Sequence, residues 1–239
     1  MSRSKTEIKE KIAHRYFEWS SEDGQFKYFD KEAGKSVKVP LPFRFVPLDV
    51  LGTIKGFNDQ LQCGVYSNEV KRVGEQELVV KTFKNGEFCR GLYKDIKGKI
   101  KDNGGKYGNS VYIGYKLADK MVICNLQLTG AAMSSFIEYT KEHKDFLSKG
   151  SIIVKTYTDE KKGATKYTKP VFEFSELSPE SNAACIKLDE ELQVYLDEYL
   201  NGDNKKVDSD ALSVPPDDDG YVPDASDAPP VEDLSDLPF

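Results

Sequence analysis

Lysine followed two residues later by an aromatic recurs along this chain, in Lys81-Thr82-Phe83 and Lys155-Thr156-Tyr157. In an extended strand, side chains two apart share a face, so each pair sets a cation beside a flat ring. Such a cation can meet a phosphate while the ring stacks on an unpaired base, a contact worth about 1–3 kcal/mol per base. Along 110–116, Val111, Ile113 and Tyr115 take one face and Tyr112 and Lys116 the other, which the alternation predicts to be open. Turns add Lys94, Lys97, Lys99, Lys101 and Lys106 with Tyr107, and Lys161, Lys162, Lys166 and Tyr167 around Gly163. Arg90 joins them. The candidate interface is therefore Lys81, Phe83, Arg90, Lys94, Lys106, Tyr107, Tyr112, Lys116, Lys155, Tyr157, Lys166 and Tyr167. In a chain with 13 Tyr and 13 Phe, some of this alternation arises by chance, and lysines at turns usually serve only to solvate them. The set carries more weight than any member.

The segments that must hold these residues are short and strand-like. Runs rich in Val, Ile, Thr, Tyr and Phe occupy 26–29, 37–41, 48–57, 61–66, 77–83, 87–92, 110–116, 121–128, 151–158 and 166–174, with Gly or Asn in the gaps. Their spacing predicts antiparallel strands in a barrel or sandwich. Helical periodicity appears over 131–147, closed by Gly150, and over 188–200, closed by Gly202. Residues 5–17 and 93–101 are weaker helix candidates. No internal repeat is visible.

Charge divides the chain. Residues 201–239 carry eleven acids against Lys205 and Lys206, a balance of −9 in a chain of formal net charge −6, which leaves the first 200 residues at +3. The prolines, acids and lack of apolar periodicity in this stretch predict disorder, because it cannot bury enough surface to offset its chain entropy. It nevertheless ends on Asp233-Leu234-Ser235-Asp236-Leu237-Pro238-Phe239, an apolar plug beside acids that suits a basic-rimmed pocket on a partner. Asp233, Asp236, Leu237, Pro238 and Phe239 are the candidate partner-binding residues.

These features together resemble single-stranded DNA-binding proteins. The last residues are similar to the acidic C-terminal tip of the bacterial proteins, although Leu234 and Ser235 interrupt the acids. Segments such as 109–115 and 150–154 are more similar to the OB-fold single-stranded DNA-binding proteins of tailed bacteriophages. The resemblance implies a mainly β body at 1–200: a five-stranded Greek-key OB-fold barrel with extra strands or hairpins, one or two packed helices and an N-terminal extension. It implies a disordered acidic tail at 201–239. It further implies coating of single-stranded DNA in phage replication and recombination, with polymerase, helicase or nuclease recruited through the tip. Homodimerisation is left open.

Other classes are less well supported. Cys63, Cys89, Cys124 and Cys185 form no Cys-x-x-Cys pair and suit buried reduced thiols. His14 and His143 are the only imidazoles, and no nucleophile elbow, phosphate loop or zinc signature occurs, so neither catalysis, cofactor nor metal is expected. No apolar run approaches a membrane span, which predicts a soluble protein of the cytoplasm, the host's if the protein is viral. The alternatives are an acidic-tailed adaptor or transcription accessory factor and, more remotely, a carboxylate-metal nuclease.

Overall fold

The computed structural model describes residues 11–201 except Lys149. Of the predicted tail at 201–239, Asn201 is described and is helical, and the remainder, with the candidate residues 233–239, lies outside these. Among the described residues there are eleven strands and three helices, so the body is mainly β. The strands are β1 (Tyr16–Ser20), β2 (Gln25–Asp30), β3 (Lys35–Val39), β4 (Phe43–Asn58), β5 (Cys63–Ser67), β6 (Leu78–Thr82), β7 (Gly86–Gly91), β8 (Gly105–Leu117), β9 (Lys120–Thr129), β10 (Ser151–Lys162) and β11 (Thr165–Ser175). The helices are α1 (Tyr93–Asp102), α2 (Gly130–Glu142) and α3 (Pro179–Asn201).

One mixed sheet runs β3-β2-β1-β9-β8-β4-β5-β6-β7, with the β10–β11 hairpin joined to the start of β4. The ladder is open, with β3 and β7 at its ends, and β1 pairs in parallel with β9. The 16-residue β4 is the hub: its start pairs β10, its length pairs β8, and its last four residues pair β5. The main core gathers Phe17, Phe26, Phe43, Ile54, Val80, Val111 and Leu126 from the inner face of the sheet. Ile96 and Ile100 of α1 and Met133 and Phe136 of α2 seal it. On the opposite face α3 lays Leu192 and Leu196 over Leu51, Tyr112 and Ile123, forming a second, smaller core.

Four expectations change. The antiparallel barrel or sandwich is instead an open mixed sheet, because β1 joins β9 in parallel and β3 and β7 are left as ends. Over 5–17, residues 11–15 are not helical, and Tyr16 and Phe17 begin a strand that buries Phe17 and pairs with β2 and β9. The helix expected to reach residue 147 stops at Glu142. Lys106 and Tyr107, placed at a turn, belong to β8. All four cysteines are free and buried. No helix among the described residues is long and apolar enough to cross a membrane.

Candidate nucleic-acid interface

Register aligns a polar stripe along the outer face of the sheet, beside the ground that α3 covers. Paired residues point to the same side. Lys38↔Lys27, Lys27↔Glu18 and Glu18↔Gln127 carry it across β3, β2, β1 and β9, and Lys106↔Lys55, Lys55↔Tyr66 and Tyr66↔Lys81 across β8, β4, β5 and β6. The two runs are joined by the Lys55–Gln127 side-chain hydrogen bond, since Gln127 itself pairs with the buried Ser110. Their neighbours Phe17, Phe26, Leu126, Ile54, Val65 and Val80 face the core. The outward set thus combines five lysines with aromatic rings.

Two rings form a platform within it. Tyr66 and Phe83 sit 4.8 Å apart at 36°, with Tyr66 buried and Phe83 half-buried above it. Gly64 allows this tilted contact, because a Cβ there would lie 2.8 Å from the Phe83 ring. Lys81, two residues before Phe83, is half-buried on the same face. Lys55 sits one register step from Tyr66, and its Nζ donates to Glu18 Oε2 at 2.8 Å and to Gln127 Oε1. Lys27 completes this cluster at 3.5 Å from Glu18 Oε1. Lys55 above all, and Lys27 after it, hold the Glu18 carboxyl below the usual carboxylate range despite the partial loss of water around it.

Of the predicted residues, Lys81, Phe83 and Lys106 belong to this stripe. Arg90, opposite Val79 on the same face, is exposed and held by Glu87 through Nε at 3.1 Å and Nη2 at 3.0 Å. Lys94 is exposed on α1 beside Lys97, Lys99 and Lys101. That helix meets the end of β4 where Asn58 Nδ2 donates to Asn103 Oδ1 at 3.2 Å. Lys116 is exposed but lies ten residues along β8 from Lys106, about 33 Å at strand rise, and so stands apart from the stripe.

Lys155, Tyr157, Lys166 and Tyr167 occupy the outer part of the β10–β11 hairpin. A bulge lies between Val154 and Tyr157, and from Lys155 to Lys162 every residue of β10 is exposed, because the hairpin extends beyond the packed part of the sheet. Lys155 pairs with Glu173 at 2.8 Å. The Tyr157 ring lies directly against Gly24, and Trp19 Nε1 donates to the Thr168 carbonyl at 3.1 Å. The hairpin therefore rests on the β1–β2 turn. From that turn Asp23 reaches Lys38 at 2.6 Å, which links the hairpin to the stripe.

Two predicted residues are corrected. Tyr107 is 9% exposed and points into the main core, where its ring meets Tyr93 at 5.2 Å. Tyr112 takes the outer face as the alternation predicts, but α3 lies over it and leaves it 4% exposed. Its hydroxyl donates to Glu69 Oε2 at 2.9 Å, and Ser110 Oγ donates to Glu69 Oε1. Neither ring can stack on a base in this fold. Sequence reasoning also missed Lys27, Lys55 and Tyr66. Lys27-Tyr28-Phe29 and Lys55-Gly56-Phe57 carry the same lysine-aromatic spacing as Lys81-Thr82-Phe83, so that signal was present. Tyr66 joins only through cross-strand register.

Glu69 is half-buried beneath α3, and loss of water around its carboxyl raises its pKa. The Ser110 and Tyr112 hydrogen bonds oppose that rise, while Asp49 adds to it. A carboxyl raised in the folded state adds stability at low pH and loses that contribution as pH climbs through the raised value. Wild type minus Glu69→Gln should therefore show a stability difference that is flat below the ordinary carboxylate range and declines from there up through the raised value, read by urea unfolding across pH. A flat difference would show that Glu69 titrates alike in both states.

No protein family, curated protein or solved structure matches this chain. Among the described residues no cluster of His, Cys, Asp and Glu is arranged to hold a metal ion.

Proposed function

We propose that this protein binds single-stranded DNA without base readout, through the outer face of its sheet. The observation that carries the reading is the alignment of Lys27, Lys55, Lys81 and Lys106 beside the Tyr66–Phe83 platform. Lysines spaced along a sheet track a phosphate backbone, and a half-exposed ring takes a splayed base of any identity. The β10–β11 hairpin, with Lys161, Lys162 and Lys166 exposed near its turn, flanks the track as a second electropositive element. We read the mixed sheet as an elaborated OB-fold, a fold that binds oligonucleotides across a strand-lined face. On this reading the protein coats exposed strands during phage DNA replication and recombination in the host cytoplasm. Residues 233–239 would engage a polymerase, helicase or nuclease.

Fluorescence anisotropy of a labelled dT oligonucleotide tests the proposal. Binding should weaken steeply with salt, with a log–log slope of about −0.7 for each phosphate contacted. Equal-length duplex should bind less tightly. Failure to bind dT at low salt would reject the reading in favour of a protein-binding adaptor.

A further inference from the structure

Glu18 stands in the middle of the lysine stripe, where no feature of the core requires a carboxylate. The core side of β1 is served by Phe17, whereas Glu18 points outward with Gln127 on one flank and Lys27 on the other. Its two oxygens are divided between Lys55 at 2.8 Å and Lys27 at 3.5 Å. These lysines come from β4 and β2, and β8 and β9 lie between β4 and the strand that carries Glu18. The Lys55–Glu18 pair therefore bridges the ground that a bound polymer would cross, while Lys27 flanks Glu18 from the adjacent strand. All three side chains keep between 27% and 32% of their surface, so they are partly dried yet reachable.

We infer that Glu18 is a built-in attenuator of the interface: it holds Lys27 and Lys55 in place and opposes the phosphates that would replace it. The inference rests on the single-stranded DNA reading above. A phosphate approaching Lys55 must displace a carboxylate already hydrogen-bonded there and then remain beside its negative charge. The interface thereby binds more weakly than its lysines alone allow, which suits a protein that must be cleared from the strand.

The test uses the full chain and a labelled dT oligonucleotide over a salt series, with wild type, Glu18→Gln, Lys55→Gln and the double variant. Glu18→Gln should bind about three- to tenfold more tightly at low salt, the scale of one or two partly exposed charge contacts. Its salt slope should steepen by about 0.7 for each lysine released, a change that a structural role alone would not produce. The gain should shrink in the Lys55→Gln background, because that lysine is one the carboxylate occupies. If wild type binds dT and Glu18→Gln binds equally or more weakly, the inference is overturned and the interface reading stands. If wild type does not bind, both fall. A lowered melting temperature with unchanged slope would assign Glu18 a structural role and likewise overturn the inference.

Discussion

The double variant Lys81→Glu, Phe83→Ala is expected to bind a dT oligonucleotide roughly a hundredfold more weakly than wild type at low salt, from one lost stack and one reversed phosphate contact. Both side chains are half-buried on the outer face, and Phe83 packs on Tyr66 and over Gly64 rather than into the main core. Folding should survive the pair of changes, with only a modest fall in melting temperature. The informative comparison is a hairpin variant in which Lys161, Lys162 and Lys166 become Gln. Those lysines lie near a protruding turn, so their loss should reduce the salt slope and cost far less affinity. Anisotropy titrations of both variants decide the matter. If the hairpin variant loses more than Lys81→Glu, Phe83→Ala, the stripe is not the primary track.

Gly104→Ala should destabilise the fold by about 2–4 kcal/mol, the scale of a left-handed residue given a side chain and forced against backbone. Gly104 has φ +75°, and a Cβ there would lie 1.9 Å from the Phe57 carbonyl oxygen. This contact is between main chains, so no side chain can rotate away to relieve it. The approach sets the α1–β8 turn against the end of β4 and so fixes where Lys106 stands relative to Lys55 and Phe57. Urea unfolding should show a lower midpoint with little change in slope. A midpoint within error of wild type would mean that the turn relaxes freely, and the relative placement of those residues would lose its explanation.

The strands that carry Val, Ile, Thr and aromatic runs were legible because half-buried sheet imposes period two on the sequence. Helices α2 and α3 were legible through their 3.6-residue apolar faces, although neither face reveals which surface it covers. That limit explains Tyr112. Its outward orientation follows from local alternation, while its burial depends on Leu192 and Leu196, some eighty residues onward. β1 escaped notice because its five residues follow a charged stretch with helix-like spacing, and its parallel pairing with β9 leaves no local trace. Lys81 and Phe83 were found from one strand alone. The stripe to which they belong needed the register of β4, β5 and β6, since Tyr66 and Lys55 become neighbours only across the ladder.

The parallel union of β1 with β9 also orders events at the ribosome. Tyr16 to Glu18 pair with Asn125 to Gln127, so the first strand, paired early with β2 on one edge, has no partner for its other edge until more than a hundred further residues have emerged. Until then the β1–β2–β3 meander is a ribbon joined to the rest of the sheet by the chain alone, with Phe17 and Phe26 able to reach Phe43 but not Leu126 or Tyr115. Nascent chains shorter than that length carry a sticky, half-built leading edge, and slow assembly through such distant partners is the kinetic consequence of this topology.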